Sequence, residues 1–167
     1  MDIKQGNKEF IDLLARDTSL KNKRDDLVNG QHPDTLAITC SDSRVIPELI
    51  FSCSLGDIFV IRTAGNVINE GELGSIEYAI EHLKVKHIIV LGHTGCGAIH
   101  ASIHNETGKY LDPILNRIKR NIGDIKDECL ASLENAKKEV EYIKSKFIDY
   151  KGTIEYKIYD IKTSLVM

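Results

Sequence analysis

Three short apolar runs, each continuous rather than alternating, constrain the fold of this chain more than any other feature of its sequence. They cover residues 36–39, 58–61 and 87–91. Strands that are apolar on both faces are typical of a parallel sheet covered on both sides. Helical patterns separate the runs, and such alternation favours an α/β fold. The sequence therefore predicts a doubly wound, mostly parallel central sheet of about four to five strands flanked by helices.

Apolar stripes at helical spacing predict the helices between and after these strands. The stripes comprise Phe10, Leu13 and Leu14; Leu73, Ile76, Ile80 and Leu83; and Leu130, Leu133, Val140, Ile143 and Phe147. A last strand is predicted over residues 153–163. Glu155 and Lys157 interrupt its apolar residues, so we expect it at an edge of the sheet.

Length and composition limit the partners and the location of the chain. Its 167 residues predict a single domain over residues 1–167. A formal net charge of −3 argues against nucleic acid as a partner. No apolar run approaches the ~20 residues that span a bilayer, and the first residues contain no apolar signal core. We therefore expect a cytoplasmic protein without a membrane partner, in which the four cysteines are thiols or metal ligands.

Two polar clusters follow the first and third predicted strands. Cys40 directly follows the first strand, and His93 and Cys96 follow the third. Ligands of doubly wound sheets bind beyond the carboxyl ends of the strands, and neighbouring strands lie about 4.8 Å apart. The two clusters can therefore meet at one ion. Two thiolates and an imidazole suit tetrahedral zinc, and three protein ligands leave the fourth position open, as in catalytic sites.

Asp42 and Arg44 lie two and four residues beyond Cys40, on a turn from which both can point into the same pocket. A guanidinium can hold a carboxylate through two parallel hydrogen bonds. Held in this way, Asp42 would be ionised and fixed in direction. It could then accept a hydrogen bond from a zinc-bound hydroxide and orient that hydroxide toward a substrate.

The pattern Cys40-x-Asp42-x-Arg44 followed by His93-x-x-Cys96 resembles the motif of the β-class carbonic anhydrases, in particular their compact prokaryotic branch. Residues 56–66, 75–79 and 158–163 resemble further strands, a loop and a helix of that family, so the similarity covers nearly the whole chain. Two residues depart from the family pattern. Tyr156 stands where a small residue is usual, and Ser164 stands where a turn glycine is common.

The resemblance implies reversible hydration of carbon dioxide to bicarbonate and a proton, by attack of zinc-bound hydroxide, with one Zn²⁺ per subunit. It also implies a homodimer or an assembly of dimers. In some members of the family the aspartate that matches Asp42 becomes a fourth ligand and closes the site. We interpret Gly65, Asn66 and Val67 as a turn that also forms part of the substrate pocket.

Other interpretations remain open at this point. Carbonyl sulfide and carbon disulfide hydrolases resemble the same family and use the same ligands, and a zinc-binding domain without activity is a further alternative. Among the other histidines, His100 and His104 are the best candidates for a proton shuttle, although a surface role is favoured for each. We interpret Cys53 and Cys129 as small buried hydrophobes. The basic residues Arg117, Lys119 and Arg120 are interpreted as a solvated helix face.

Overall fold

The computed structural model of the protein describes residues 2–167, which form four β-strands, seven α-helices and one short 3-10 turn. In chain order the elements are α1 (Ile3–Arg16), α2 (Thr18–Asp26), β1 (Thr35–Cys40), α3 (Pro47–Ile50), β2 (Ile58–Thr63), the 3-10 turn (Ala64–Asn66), α4 (Glu70–Glu81), β3 (His87–His93), α5 (Gly97–Ile103), α6 (Asp112–Ile122), α7 (Glu128–Lys146) and β4 (Thr153–Tyr159). The three predicted apolar runs all lie within strands, each of which extends beyond its run.

The four strands are all parallel and lie in the order β2-β1-β3-β4. The chain moves from β1 to β2 in one direction and then returns past β1 to β3 and β4, so the strand order reverses at β1. This confirms the predicted α/β architecture with a parallel central sheet, and β4 lies at an edge as expected. In sheets of this kind, ligands bind where the order reverses, here between the carboxyl ends of β1 and β3.

One face of the sheet carries the main hydrophobic core. Because side chains alternate along a strand, Leu36 and Ile38 of β1 share a face with Ile88 and Val90 of β3, and all four are fully buried. Helices α4 and α7 pack on this face. They contribute Ile76, Ala79, Ile80, Ala136, Val140 and Ile143 to the core. The predicted stripe on α4 is therefore confirmed, and burying each large side chain stabilises the fold by about 1.5–3 kcal/mol.

Two predicted apolar stripes are only partly buried. Leu130 and Leu133 of α7 are exposed at 60% and 39%, and in α1 Leu14 is buried whereas Phe10 and Leu13 are largely exposed. The reason in α7 is that the residues buried in its first two turns are alanines and short polar residues instead. These are Ala131, Ser132, Asn135 and Ala136. Cys129 is exposed on the outer side of the same helix, so its interpretation as a buried hydrophobe was wrong, and Cys53 is half-buried.

Gly92 of β3 explains why small residues are needed on α7. A β-carbon at this position would lie 2.8 Å from Ile158 Cδ1, 3.3 Å from Ala136 Cβ and 3.3 Å from the carbonyl oxygen of Ser132. The helix therefore approaches the strand closely one residue before His93. This contact fixes the end of β3, where His93 lies and where the loop to Cys96 begins.

The two departures from the family pattern are accommodated near β4. Tyr156 lies on this edge strand and is 37% exposed, so its large ring needs no space in the core. Ser164 adopts a left-handed conformation with φ 60°, which glycine tolerates best, in the turn that follows β4. No helix within residues 2–167 combines the length and the apolar character that crossing a lipid bilayer requires.

Candidate metal centre

The three predicted metal ligands converge at the carboxyl ends of β1 and β3. Cys40 ends β1, His93 ends β3 and Cys96 immediately precedes α5. All three residues are buried, and their ligand atoms lie within 4.8 Å of one another. The two sulfur atoms are 3.9 Å apart. Among the described residues, this is the one cluster of histidine, cysteine or carboxylate side chains close enough to hold a metal ion together.

The chemistry of these three side chains fits a zinc ion. His93 Nδ1 lies 3.0 Å from the carbonyl oxygen of Thr94, which can only accept, so Nδ1 carries the proton. His93 Nε2 then presents a lone pair, and this buried nitrogen has no hydrogen-bond partner in residues 2–167. A backbone carbonyl that fixes the tautomer of a ligating histidine is typical of metal sites. One imidazole nitrogen and two sulfurs form a donor set that zinc prefers.

The two cysteines share a proton rather than ionising independently. The pKa of Cys40 is lowered because the Cys96 thiol donates to it, with further help from the backbone N–H groups of Asp42 and Gly65. The pKa of Cys96 is raised, first because the proton is held against Cys40 and then because the side chain is buried. Binding of a divalent cation to both sulfurs would displace the proton held between them.

Gly65 brings its backbone against the Cys40 sulfur. The N–H of Gly65 lies 3.3 Å from Cys40 Sγ. Gly65 has φ 66°, in the left-handed region that suits glycine. A β-carbon there would lie 2.7 Å from Ile118 Cδ1. Both the conformation and the space at this position therefore require a residue without a side chain.

Asp42 and Arg44 form the ion pair expected from their spacing. Arg44 Nε and Nη2 donate to the two carboxylate oxygens of Asp42 at 2.9 and 2.7 Å, and the backbone N–H of Arg44 adds a third bond at 2.9 Å. These hydrogen bonds hold the pKa of Asp42 well below its usual range. Asp42 Oδ2 lies 3.9 Å from His93 Nε2. The carboxylate thus faces the cluster while it stays paired with Arg44.

Arg62 is a positioning residue that the sequence analysis missed. Its Nη2 donates to the carbonyl oxygens of Asp42 and Val45 at 2.7 and 2.9 Å, and its Nε donates to that of Cys40 at 3.3 Å. One side chain at the end of β2 therefore holds the loop that carries both Cys40 and Asp42. The available signal was a single basic residue directly after the apolar run of residues 58–61.

Arg117 contradicts the interpretation of the basic cluster as a solvated face. Its Nε and Nη2 donate to Glu139 at 2.9 and 3.0 Å, and Glu139 is completely buried. The guanidinium also lies 4.0 Å from the ring centre of Tyr142. The available signal was Glu139 itself, which shares the helical spacing of the buried residues Ala136 and Ile143.

The loop interpreted as a substrate pocket lies beside the cluster. Val67 is fully buried in an apolar group that includes Cys40 and Cys96. Asn66 is 3% exposed, and its Nδ2 has no hydrogen-bond partner within residues 2–167. The proposed proton shuttles lie outside this group. His100 and His104 stack with ring centres 4.1 Å apart on the exposed side of α5, and His100 Nδ1 lies 2.6 Å from Glu128.

Comparisons with known proteins agree on one family. The family model described as carbonic anhydrase matches residues 35–151. Carbonic anhydrase 2 of Mycobacterium tuberculosis is 41% identical over 126 residues, which are 72% of this chain and 61% of that protein. The chain thus spans less than two thirds of the length of this curated relative.

Solved structures extend the similarity to nearly the whole chain. The β-carbonic anhydrase CcaA is 30% identical with a TM-score of 0.79, covering 99% of this chain and 94% of that one. A structure from a study of two tetrameric β-carbonic anhydrases of Sordaria macrospora is 26% identical with a TM-score of 0.78, covering 99% and 93%. Because the family model matches most of the chain and the fold agrees over almost all of it, this protein belongs to the β-class carbonic anhydrases.

Proposed function

We propose that this protein catalyses the reversible hydration of carbon dioxide to bicarbonate and a proton, with one zinc ion per subunit held by Cys40, His93 and Cys96. One observation carries the proposal. Two buried sulfurs and an unpartnered buried imidazole nitrogen converge within 4.8 Å, and an ionised carboxylate faces them, with Asp42 Oδ2 3.9 Å from that nitrogen. The family assignment supports the same chemistry.

Zinc held by three protein ligands acidifies a water molecule and so supplies a hydroxide nucleophile near neutral pH. Asp42 and Arg44 orient the nucleophile. With zinc bound, Asp42, held at both oxygens by Arg44, would accept a hydrogen bond from the attacking hydroxide and so orient its lone pair toward the substrate carbon. The loop of Gly65, Asn66 and Val67 would border the substrate pocket, with the buried side chain of Val67 packed beside Cys40 and Cys96. Because both carboxyl oxygens of Asp42 are paired with Arg44, this arrangement would keep the carboxylate from acting as a fourth ligand.

Further features of the proposal concern substrate, assembly and location. The curated relative and the solved structures compared above are named carbonic anhydrases, which favours carbon dioxide over carbonyl sulfide or carbon disulfide. Tetrameric structures among the similar proteins support a homodimer or an assembly of dimers for this chain. We retain the cytoplasm as its location, because the cysteine pair at the centre functions as reduced thiolates.

The test is zinc content measured together with stopped-flow carbon dioxide hydration on the reduced protein. We expect about one zinc per chain and rapid hydration in the wild type, and loss of most of both in Cys96→Ser. Arg44→Ala should keep its zinc and lose most of its activity, because Asp42 is no longer held in direction. Cys129→Ser, which replaces an exposed cysteine, is the matched control and should behave as wild type. Hydration of carbonyl sulfide at a higher rate than carbon dioxide, or a wild type free of zinc, would contradict the proposal.

A further inference from the structure

A series of buried and partly buried hydrogen bonds connects Cys40 to the two helices that cover the metal centre. It begins with the Gly65 N–H, 3.3 Å from Cys40 Sγ, and continues from the carbonyl oxygen of the same glycine. Asn135 Nδ2 of α7 donates to that carbonyl at 2.9 Å. Asn121 Nδ2 of α6 in turn donates to Asn135 Oδ1 at 2.9 Å and to Glu139 Oε1 at 2.8 Å. Arg117 completes the chain with two bonds to Glu139.

The direction of every bond in this network is determined by its ends. Arg117 can only donate, and both carboxyl oxygens of Glu139 accept from it, so Asn121 must turn its NH₂ group toward Glu139 Oε1. The same NH₂ group donates to Asn135 Oδ1, which leaves Asn135 Nδ2 to face Gly65. The Gly65 carbonyl can only accept. The network therefore selects one orientation of the Asn135 amide.

The burial of these groups indicates that the network is more than packing. Asn135 and Glu139 are both 0% exposed. A buried charge and a buried amide destabilise a fold unless they are fully paired, and apolar residues of similar size would fill the space at no such cost. The residue that gains from the arrangement is Gly65, whose N–H and carbonyl belong to two successive peptide units joined at its α-carbon. Glycine has no side chain to restrict rotation between these units, so a hydrogen bond to the carbonyl limits the orientations that the N–H can adopt.

We propose that Asn135 is a positioning residue of the metal centre. It anchors the carbonyl of Gly65 so that the N–H of the same residue stays directed at the Cys40 sulfur, and the Arg117–Glu139 pair holds the Asn135 amide in the required orientation through Asn121. The N–H bond stabilises negative charge on the sulfur and fixes its direction as a ligand. This inference rests on the proposed function in one respect, namely that Cys40 ligates a cation.

The experiment compares metal binding by the reduced wild type with that of Asn135→Ala and Asn135→Asp. The aspartate variant keeps the shape of the side chain but loses the donor toward Gly65. Ser132→Ala is the matched control, because Ser132 is buried one turn earlier on α7 and its hydroxyl donates to the Glu128 carbonyl of its own helix. Zinc affinity is measured by competition with a chromophoric chelator, and the sulfur-to-metal charge-transfer band is recorded after cobalt substitution.

We expect the two Asn135 variants to bind zinc roughly ten- to hundredfold more weakly, in the range seen when outer partners of ligands are removed, and their cobalt band to shift. Ser132→Ala should match the wild type in both measurements. In the wild type loaded with ¹¹³Cd, the Gly65 amide proton should show scalar coupling to the metal through Cys40. This measurement tests the first bond without any substitution, and its absence overturns the proposal even if the variants do not fold.

Failure of the proposed function and failure of the positioning role of Asn135 give different results. If the wild type does not bind zinc, the proposed function is wrong and this inference falls with it. If the wild type binds zinc and the folded Asn135 variants bind it equally well with an unchanged cobalt spectrum, only the positioning role is refuted.

Discussion

Replacing Gly65 with alanine tests whether the backbone beside Cys40 has the conformation and the close packing described above. The left-handed conformation at φ 66° costs an L-residue about 1–2 kcal/mol. The new β-carbon would also lie 2.7 Å from Ile118 Cδ1 and 3.2 Å from Ala98 Cβ. Overpacking of this kind typically costs about 1–3 kcal/mol.

We therefore expect Gly65→Ala to lower the free energy of unfolding by roughly 2–5 kcal/mol, which corresponds to a melting temperature lower by roughly 4–20 °C for a chain of this size. The steric part can be separated from the conformational part. Ile118→Val removes the Cδ1 methyl group that the new β-carbon would meet, and alone it should cost only about 0.5–1.5 kcal/mol.

The assay is urea denaturation of the wild type, both single variants and the double variant, all reduced and saturated with zinc. In the double variant the removed methyl group makes room for the new β-carbon, so the two effects should not add. We expect the double variant to be more stable than the sum of the single effects predicts, by about 1–3 kcal/mol. The remaining deficit combines the conformational cost of a side chain at φ 66° with the contact to Ala98 Cβ, which the double variant keeps.

Two results would refute this reasoning. Strict additivity of the two substitutions would show that Ile118 does not crowd position 65. A Gly65→Ala variant as stable as the wild type would show that the left-handed conformation and the contact are both absent.

Two further predictions concern ion pairs away from the cysteines. Arg117→Met removes the main partner of the fully buried Glu139 and should lower the free energy of unfolding, measured in urea, by roughly 3–5 kcal/mol. The control is Arg120→Met, at an exposed position of the same helix, which should change this free energy by less than about 0.5 kcal/mol. Equal effects of the two substitutions would exclude a buried ion pair. Lys23 and the N–H of Ser54 lower the pKa of Asp57 in the folded protein. Ionised Asp57 therefore stabilises the fold at pH values above the unfolded pKa of about 3.9. This contribution is lost as the pH falls through the lower pKa of the folded state. Asp57→Asn should therefore be less stable than the wild type at neutral pH by up to about 1 kcal/mol, and a difference that persists unchanged at about pH 2 would contradict this assignment.

The sequence was sufficient to predict the sheet and the metal cluster because both depend on local patterns. Continuous apolar runs are a direct consequence of strands buried on both faces. Residues that follow two such strands must lie at one edge of the sheet, so Cys40, His93 and Cys96 could be placed together from their positions alone. The pairing of Asp42 with Arg44 also depends on a separation of only two residues.

The parts that could not be predicted depend on contacts between distant segments. Arg117 and Glu139 lie on different helices, and nothing in the sequence around Arg117 distinguishes it from the other basic residues of α6. The contact of Gly65 with the Cys40 sulfur arises only because β1 and β2 pair in a particular register. Leu130 was misassigned because an apolar residue at helical spacing predicts a face, but not which of two adjacent faces meets the sheet.

Cys40 and Cys96 are 56 residues apart in the sequence, although their sulfur atoms lie 3.9 Å apart in the fold. A cation bound to both sulfur atoms would cross-link the ends of β1 and β3, in addition to any chemistry it performs. Cross-linking a loop of this length removes chain entropy from the unfolded state worth about 4 kcal/mol at 25 °C. Removing the metal with a strong chelator would accordingly lower the free energy of unfolding as well as the activity.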